Sequence, residues 1–590
     1  MAVPRIVRRP APQPARLPAD LPPLVRRVLA SRGITCAEQL DHGLARLQDP
    51  FLIKDMDKAV KRLQQALVAR QRIIIVGDYD ADGATSTALM MLGLAALGFA
   101  DVTFEVPDRF VYGYGLSPAI VDSLAWRQPQ LLITVDNGIS SQAGVARANA
   151  LGMDVIVTDH HLPGETLPEA IAILNPNQPD CPFPAKTLAG VGVAFHLLMA
   201  LRRRLRDDNW FAEQGLVEPN LADFLDLVAL GTVADVVPLD DYNRILVSQG
   251  IRRIRAGNMR PGIRQLLQVA GKNHRLLNST DLGFVLGPRL NAAGRLDDMS
   301  QGIMLLMTDA EDLALELARV LDDFNRDRRQ IERQMQQEAL GIVEQMSLEE
   351  ADLPRGLCLF HPDWHQGVVG LVASRLKEKY HRPVIAFAPG EAGELKGSGR
   401  SIPGIHLRDV LDSIAASHPG LLDRFGGHAM AAGMTLAQDQ LAAFAEAFAG
   451  QLADCDGRLF EAVLESDGEV AATDLNLYTA SVLRDVLPWG QQMPEPRFDG
   501  VFFLHRQRVV AEKHLKMSVS LDGNPALAVD AIWFNADASW LQMPAVDKVH
   551  LVYRMQVNDF RGELNLQLLV DSVSPLPDME NAGKKTESGR

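Results

Sequence analysis

Short apolar runs that alternate with helical stretches occupy the chain from about Arg72 to Asp235, and this pattern constrains the fold more than any other feature. Alternation of this kind is typical of βαβ units, in which helices connect the strands of a parallel sheet. The runs are almost continuously apolar, as expected for strands that are buried on both faces. The sequence predicts strands at residues 73–76, 102–104, 131–135 and 155–158, with helices at 85–97 and 142–151.

Acidic residues and histidines follow the predicted strands or end a helical segment. They are Asp78, Asp80 and Asp82 in GDYDADG, Asp136 in VDNG, Asp159, His160 and His161 in TDHH, and Asp235 in TVADVVP. In an open parallel sheet the ligand site lies beyond the carboxyl ends of the strands, so these side chains are expected to converge. A single Asp is often only a helix cap or a turn residue. Five or more carboxylates in one cleft, however, would repel each other strongly unless cations lay between them.

The type of metal follows from the chemistry of these ligands. Carboxylate oxygens together with imidazole favour manganese or magnesium over zinc. DYDADG also resembles the start of an EF-hand calcium loop, with Asp78, Asp80 and Asp82 at positions one, three and five. The twelfth position is Leu89, where an EF-hand requires a bidentate Glu, and a strand instead of a helix is predicted before the loop. The sequence therefore argues against a calcium sensor.

Three further regions follow the predicted sheet. Apolar residues at helical intervals over 313–346 predict one long charged helix, with Thr308 and Glu311 at the spacing of a capping box. A second α/β unit is predicted over 351–453. Five β-rich runs then predict an OB-type barrel, although a small sandwich would have a similar pattern. These runs are residues 498–504, 515–521, 526–534, 549–557 and 564–570.

Length and charge restrict the possible organisation and partners. At 590 residues the chain is longer than one hydrophobic core usually supports, so several domains are expected. The net charge of −15 does not favour a nucleic-acid partner. Such a partner stays compatible with the sequence, because metal ions neutralise clustered acids and basic residues can concentrate on one wall of a channel.

Cysteine spacing and the N-terminal segment indicate the compartment. The four cysteines contain no CxxC pair, which argues against a disulfide framework or a thiolate zinc site and favours a reducing cytoplasm. The segment MAVPRIVRRPAPQPARLP is basic and rich in proline and lacks an apolar signal core, so we interpret it as a mobile lead. No apolar run has the length that crossing a bilayer requires.

In this order and on these elements, the motifs DYDADG, VDNG, DHH and TVADVVP are similar to those of the DHH phosphoesterase superfamily, which takes its name from the tripeptide at 159–161. The resemblance implies two divalent metal ions, manganese or magnesium, held by Asp78, Asp80, Asp82, Asp136, His160 and Asp235. It implies a catalytic set of Asp136, Asp159, His160 and His161, in which Asp136 bridges the metals, Asp159 orients a histidine and His161 faces the phosphate. In such a site one cation activates a water molecule and both stabilise charge at phosphorus, so no protein nucleophile is required.

Three glycine-rich segments of the second α/β unit, WHQGVVGLVASRL, KGSGRS and FGGHAMAAG, resemble the DHH-associated domain of these enzymes. Glycine lets a backbone approach a phosphate closely, and Lys396, Ser398 and Arg400 offer donors around it. Arginine suits this task because its planar fork binds two phosphate oxygens. The resemblance implies that the nucleic acid or its terminal phosphate is bound by Arg109, Arg289, His365, Ser398, Arg400 and His428.

The resemblance extends from about Leu17 to about Leu576 and predicts an α/β protein in which a DHH parallel-sheet domain is joined by a long helix to a smaller α/β domain, followed by an OB-type β-barrel. The predicted boundaries are 1–70 for the basic lead and a helical segment, 71–305 for the DHH catalytic domain, 306–350 for the connecting helix, 351–453 for the DHH-associated substrate-binding domain, 454–578 for the OB-fold nucleic-acid-binding domain and 579–590 for a disordered tail.

The superfamily members that the chain resembles along this length are bacterial exonucleases that degrade single-stranded DNA from its 5′ end in recombination and repair. The resemblance therefore implies a metal-dependent 5′ to 3′ exonuclease, a hydrolase that acts as a cytoplasmic monomer with a helicase and a single-strand-binding protein as partners. A phosphodiesterase for short oligonucleotides or cyclic dinucleotides and a pyrophosphatase share the metal chemistry, but neither explains the barrel. A non-catalytic scaffold for single-stranded DNA is disfavoured because the acids and both histidines are present.

Overall fold

The computed structural model describes residues 4–10, 12, 16–108, 112, 115–296, 298–346, 353–391, 393–422, 424–541 and 546–576. The chain divides into two compact units. Within the described ranges, the larger unit comprises Arg8–Gly294, Asp298–Asp322 and Glu465–Arg590, and the smaller comprises Met1–Val7, Arg295–Asp297 and Asp323–Leu464.

A parallel sheet forms the core of the larger unit, as the alternating apolar runs predicted, and it has a fifth strand that was not predicted, Ala172–Leu174. In spatial order its strands are Val102–Glu105, Ile73–Val76, Leu131–Val135, Asp154–Thr158 and Ala172–Leu174. Ile73–Val76 and Leu131–Val135 are buried along their whole length, because helices cover both faces of a parallel sheet. The register places Val76 beside Thr134 and Val135 beside Thr158, so the carboxyl ends of the three central strands are nearly level.

Helices surround this sheet. The helix after the first central strand begins at Ala81, four residues earlier than predicted, because Asp80 caps it by accepting hydrogen bonds from the amides of Asp82 and Gly83. The α-helices that precede residue 308 are Pro23–Ser31, Met56–Val68, Ala81–Ala96, Pro118–Leu124, Gln142–Ala150, Gly190–Asp207, Trp210–Gln214, Leu225–Ala234, Asp241–Arg255, Pro261–Val269, Ser279–Asp281, Gly287–Leu296 and Ser300–Met307. A π-helical turn lies at Leu282–Leu286.

The C-terminal part of the larger unit is a closed five-stranded barrel, which excludes the sandwich alternative. Its strands are Phe498–Val510, His514–Ser520, Val529–Trp533, Lys548–Phe560 and Glu563–Pro575. Around the barrel the order is first, second, third, fifth and fourth, and the third and fifth strands pair in parallel while the other pairs are antiparallel. The third strand starts at Val529 and not near 526, because Pro525–Leu527 forms a 3₁₀ turn. Helices Leu477–Asp485 and Ala538–Leu541 accompany the barrel.

The smaller unit is built on a second five-stranded sheet. In spatial order its strands are Arg424–Gly427, Ala431–Ala437, Glu394–Arg400, Val384–Pro389 and Leu357–Phe360, of which only the last two pair in parallel among the described strands. Helices Val369–Tyr380, Leu407–Ser417 and Leu441–Ala453 belong to this unit. Phe387, Phe444 and Phe448 are fully buried in its core.

The predicted long helix is present as Glu311–Met346. The capping-box prediction is wrong in detail, because the Thr308 hydroxyl accepts a hydrogen bond from the amide of Ala310, at 3.2 Å. The interpretation of the basic N-terminal segment as a mobile lead is also wrong for Arg5–Arg8, which forms a strand with Val463–Ser466. Arg8 binds the buried carboxylate of Asp499 through Nε and Nη2, at 3.0 and 2.6 Å.

All four cysteines are free thiols, in agreement with the spacing argument. Among the described residues, none of the helices combines the length and apolarity needed to cross a membrane.

A buried ion pair fixes the first helix to the segment that leads into the barrel, and its removal is predicted to destabilise the larger unit. Arg32 donates two hydrogen bonds to Asp467, at 2.7 and 2.9 Å, and both side chains are 2% exposed. Arg32→Ala leaves the Asp467 charge buried and should lower the free energy of unfolding by about 3–5 kcal/mol. Urea unfolding followed by the fluorescence of Trp489, over which Arg32 stacks, measures the change.

The matched control is Arg147→Ala. Arg147 pairs with Asp122, and the two side chains are 43% and 51% exposed, so its loss should change the stability by no more than about 1 kcal/mol. Equal shifts of the two unfolding midpoints would contradict the buried pair's role.

Candidate metal centre

The level strand ends bring Asp136 and Asp159 to one edge of the sheet. Asp136 follows Val135 directly and Asp159 follows Thr158 directly. Asp136 has a φ of 61°, in the left-handed region, which Asp tolerates better than most residues. A methyl group on Gly190 would lie 2.7 Å from Asp136 Cβ, so only glycine leaves room for this aspartate.

The acidic loop of GDYDADG is fixed from two sides. Asp80 is the N-cap of helix Ala81–Ala96, a role that is common for a single Asp. It also lies close to other acids, since ligand atoms of Asp78, Asp80 and Asp136 lie within 4.8 Å of one another. Asn291 Oδ1 accepts a hydrogen bond from the amide of Ala81, at 2.7 Å. A methyl group on Gly294 would lie 1.8 Å from the carbonyl oxygen of Tyr79, so helix Gly287–Leu296 packs directly on the loop.

Asp82, in the first turn of helix Ala81–Ala96, is fully buried against the start of helix Gly190–Asp207. Its two carboxylate oxygens accept hydrogen bonds from the amides of Gly190 and Val191, at 2.6 and 2.9 Å. These amides belong to the first turn of Gly190–Asp207, where backbone donors have no partner within the helix and the dipole favours an anion. The helix therefore holds Asp82 in one orientation.

His160 and Asp235 complete the cluster. His160 Nε2 lies 3.0 Å from Asp136 Oδ1 and 3.4 Å from Asp235 Oδ2, and it is buried without forming a hydrogen bond. Asp235 ends helix Leu225–Ala234. Ligand atoms of Asp82, His160 and Asp235 lie within 4.8 Å of one another, and so do those of Asp136, His160 and His161. The structure thus brings together all six residues that were predicted as metal ligands.

Asp159 contacts the second histidine of the motif. Its Oδ1 lies 2.8 Å from His161 Nδ1 and accepts from the amides of both histidines, and its Oδ2 accepts from the amide of Ile139, at 2.8 Å. Burial favours a raised pKa for Asp159, but these hydrogen bonds, with that from His161 foremost, lower its pKa below the ordinary value. Asp159 is therefore an ionised group that orients His161.

Three carboxylates of the cluster, those of Asp82, Asp136 and Asp235, are electrostatically unfavourable as charged groups. Burial raises the pKa of Asp82 to about 7, with a further contribution from the charge of Asp80. Burial and the neighbouring aspartates raise the pKa of Asp136 and of Asp235 well above the ordinary value. Burial also lowers the pKa of His160 to about 4, which keeps its imidazole neutral, the form that ligates metals.

This donor set fits divalent cations. It offers carboxylate oxygens and one neutral imidazole nitrogen, which are ligands that manganese and magnesium accept. Of three groups whose ligand atoms lie within 4.8 Å of one another, two contain Asp136 and two contain His160, so two neighbouring ions would have common ligands. Positive charge placed there would offset the repulsion that raises the carboxyl pKa values.

The glycine-rich segments of the smaller unit meet on one face of its sheet. Ser398 lies opposite Gly433 on the neighbouring strand, and Arg400 donates to the Ser398 hydroxyl, at 3.0 Å. A methyl group on Gly370 would lie 2.8 Å from Ser398 Oγ and 2.9 Å from Arg400 Nη2. Burial lowers the pKa of Arg400, and no acid contributes to this shift. Ser398 and Arg400 therefore form a cationic site that suits an anion.

The other predicted phosphate ligands are less uniform. His365 begins the turn before helix Val369–Tyr380, and its Nδ1 accepts a hydrogen bond from the amide of Gly367, at 3.1 Å. His428 is exposed on the hairpin that connects strands Arg424–Gly427 and Ala431–Ala437. Arg289 is 7% exposed and binds Asp322 through Nε and Nη2, at 2.9 and 2.8 Å, so much of its hydrogen-bonding capacity serves packing. Arg109 lies outside the described residues.

The barrel carries a basic face that sequence reasoning could not assign. Arg508 on the first barrel strand lies directly opposite Lys516 on the second. Arg506 is also on the first strand and is exposed. Lys516 is paired with Asp530, at 2.7 Å, whereas Arg506 and Arg508 are exposed. Phe534, 50% exposed, packs edge-on against His514 with ring centroids 5.0 Å apart. Phe498 and Phe502, in contrast, are buried inside the barrel.

Comparison with family models identifies three domains. Residues 72–232 match the DHH family N-terminal domain, residues 353–454 match the DHHA1 domain, and residues 466–572 match the RecJ OB domain. These matches agree with the parallel sheet, the smaller α/β unit and the closed barrel.

Known relatives and solved structures show the same similarity along nearly the whole chain. The chain is 54% identical to a single-stranded-DNA-specific exonuclease RecJ from Dickeya dadantii over 97% of this chain and 100% of that protein. It is 52% identical to the Escherichia coli exonuclease of the same name over 96% and 99%. The crystal structure of RecJ from Thermus thermophilus in complex with Mn²⁺ superimposes with a TM-score of 0.77 and 30% identity, covering 97% of this chain and 79% of that one. The corresponding Mg²⁺ complex gives a TM-score of 0.72.

Replacement of Gly190 is predicted to weaken metal binding. Gly190→Ala puts a methyl group against Asp136 and displaces the amide that holds Asp82, so the affinity for Mn²⁺ should fall by about 10–100-fold, as for other changes next to metal ligands. Titration calorimetry with Mn²⁺ measures the affinity. The control is Gly341→Ala in the long helix, where a methyl group meets no atom within 4 Å and Mn²⁺ binding should not change. Equal affinities of the two variants would refute the proposed fit.

Proposed function

The chain belongs to the RecJ family of DHH-domain proteins, and from this premise we propose that it is an exonuclease that hydrolyses single-stranded DNA from the 5′ end with two divalent metal ions. The observation that carries the proposal is the convergence of five aspartates and His160 in one largely buried cluster at the carboxyl end of the parallel sheet. The relatives to which the chain is similar are named single-stranded-DNA-specific exonucleases.

Manganese or magnesium is the proposed cofactor, because relatives have been solved with both ions and the donor set fits them. We assign Asp78, Asp80, Asp82, Asp136, His160 and Asp235 to the metals, with Asp136 shared between them. When bound, the two cations lower the pKa of water and stabilise the charge that develops at phosphorus and on the leaving oxygen.

The protein's own groups position the substrate around these ions. Asp159 holds His161 by Nδ1 and, against the effect of burial, raises the pKa of its imidazole. A protonated His161 can donate a hydrogen bond to a phosphate oxygen through Nε2, which is the role we assign to it. Asp159 would thus act through His161 and not as a metal ligand.

We assign recognition of the substrate phosphates to the polar and cationic groups that the resemblance implies. Arg400 and Ser398, with His365 and His428, would bind the terminal phosphate or the adjacent backbone. Arg400 and Ser398 support this assignment because they lie together beside Gly370, and burial lowers the pKa of Arg400. Arg109 is assigned on resemblance alone, and Arg289 could bind phosphate only with part of its guanidinium, since Asp322 holds the rest. The face of Arg506, Arg508 and Phe534 on the barrel suits the continuing strand.

The wider role also follows from the family. We propose action in recombination and repair, in the cytoplasm, by a monomer that works with a helicase and a single-strand-binding protein. The barrel favours a long polymer over a cyclic dinucleotide or a very short oligonucleotide. The complete acidic cluster favours catalysis over a purely DNA-binding scaffold.

The two-metal role of Asp136 predicts loss of cleavage without loss of binding. Asp136→Asn removes the carboxylate that two of the three possible metal groups share, so Mn²⁺-dependent cleavage of a single-stranded oligonucleotide should fall by about 10²-fold or more. Fluorescence anisotropy should show DNA binding largely intact. Asp122→Asn, an exposed surface aspartate, should retain full activity. Wild-type rates for Asp136→Asn at saturating Mn²⁺ would count against the assignment.

The direction and substrate class are tested with end-labelled DNA. Single strands labelled at the 5′ or the 3′ end are incubated with the protein and Mn²⁺, with chelator as control. We expect immediate release of short products from the 5′ label and a ladder of progressively shortened strands from the 3′ label. The reverse pattern would overturn the polarity. Faster turnover of dinucleotides than of long strands would favour the short-oligonucleotide phosphodiesterase, and binding without product under any divalent metal would favour the scaffold.

A further inference from the structure

The chain segment 187–191 holds two of the proposed metal ligands through its backbone. The last two amides of the segment donate hydrogen bonds to the carboxylate of Asp82, at 2.6 and 2.9 Å. The backbone of Leu188 accepts a hydrogen bond from the imidazole of His160, whose Nε2 faces the acids. The path of this segment therefore sets the positions of Asp82 and His160 relative to each other.

A second segment, residues 235–240, delivers a third ligand. Asp235 is the C-cap of its helix, and Val236 follows with a φ of 60°. A β-branched residue in this left-handed region is sterically strained, and such strain persists only where the surrounding structure imposes it. Contacts further along segment 235–240 must therefore hold its path, and with it the position of Asp235.

One buried amide joins the two segments. Asn243 Nδ2 donates to the carbonyl oxygen of Thr187, at 2.8 Å, and to that of Pro238, at 2.9 Å. Asn243 is fully buried in the first turn of helix Asp241–Arg255. Asp240 caps this helix and also accepts a hydrogen bond from the Thr187 hydroxyl. Both segments are thus anchored at the start of the same helix.

The acceptor side of the same amide indicates that the two donors are what this position requires. Asn243 Oδ1 is buried and forms no hydrogen bond with the part of the chain that the structure describes. A buried acceptor without a partner costs stability, and a leucine of nearly the same shape would remove that cost. The amide therefore serves through Nδ2, which links the two ligand-bearing segments.

We propose that Asn243 is a positioning residue of the metal centre. By joining the two segments, it sets the spacing of one group of ligands whose atoms lie within 4.8 Å of one another, Asp82, His160 and Asp235. A separate group, which shares no residue with the first, is formed by Asp78, Asp80 and Asp136. The inference rests on the proposed two-metal function, and it assigns the Asn243 link to one of the two ions.

The second group of ligands is held by a different contact. The loop that carries it is fixed through the amide of Ala81, which donates to Asn291 Oδ1, at 2.7 Å. Loss of the Asn243 donors should therefore weaken the binding of one ion and spare the other. A general loss of stability would not produce this selectivity.

The test measures Mn²⁺ sites by titration calorimetry. Wild type should bind two ions. Asn243→Leu keeps the approximate shape of the side chain and removes both donors, so the affinity for one ion should fall by about 10–100-fold while the affinity for the other stays unchanged. Cleavage of single strands by this variant should need correspondingly more Mn²⁺ and recover at saturation, because every metal ligand is still present.

The matched control is Tyr242→Phe, at the preceding residue of the same helix. The Tyr242 hydroxyl lies 2.6 Å from His196 Nε2 and accepts a hydrogen bond from the amide of Gln48, at 3.2 Å. Its loss should lower the melting temperature in chelator by a few degrees and leave both Mn²⁺ affinities unchanged. Hydrogen exchange of segment 187–191, also measured in chelator, should be faster in Asn243→Leu and unchanged in the control.

Thr187→Val probes the same link if Asn243→Leu does not fold. It removes the hydroxyl that donates to Asp240 and keeps a β-branched shape, so the same ion should be weakened to a smaller extent. Wild-type affinities in the variant measured, an equal loss at both ions, or the same loss in Tyr242→Phe would overturn the positioning role. A wild type that binds two Mn²⁺ ions and never cleaves would overturn the nuclease proposal alone, because calorimetry and hydrogen exchange measure the link without cleavage.

Discussion

Repulsion between buried carboxylates is the constraint around which the larger unit is organised. Asp82, Asp136 and Asp235 are held together although burial and their mutual charge raise the pKa of each. Such groups gain protons on folding, so without a cation they favour the folded state less as the pH rises from the ordinary Asp pKa towards the raised values. A divalent cation displaces these protons and binds only the assembled site, so it stabilises the fold by mass action. Metal binding, protonation and stability are therefore linked through the same side chains.

The fold opposes this repulsion with backbone geometry. The register of the central strands sets Asp136 and Asp159 side by side, and the first turn of Gly190–Asp207 holds Asp82 with two amides. Helix Gly287–Leu296 fixes the loop of Asp78 and Asp80 through Asn291. Asp82 is thus held by neutral backbone dipoles. This arrangement leaves the negative charge available to cations.

The strands of the parallel sheet and the grouping of the acids could largely be predicted from the sequence, because both depend on local sequence pattern. Continuous apolar runs identified four of the five strands, all but Ala172–Leu174, and the rule that ligands bind beyond the carboxyl ends of parallel strands grouped the acids that follow them. The contributions of Gly190 and Asn291 could not be predicted in the same way. They reach Asp82 and Ala81 from far along the chain, and only tertiary packing defines these contacts. The same limit applies to Arg289, whose pairing with the buried Asp322 has no local signature.

The irregular elements support a functional site independently of any relative. Asp136 and Val236 have left-handed backbones, and a π-helical turn packs against the helix that ends at Asp235. Each departs from the conformation that local sequence favours, and natural chains keep such departures mainly where function requires them. Several of the remaining positive-φ residues with side chains are Asp or Asn, which adopt this conformation at a small steric cost. Val236 differs from them, since its side chain forms no hydrogen bond that could compensate for the strain. Its strained backbone directly follows Asp235, so this departure lies in the segment that delivers a carboxylate to the cluster.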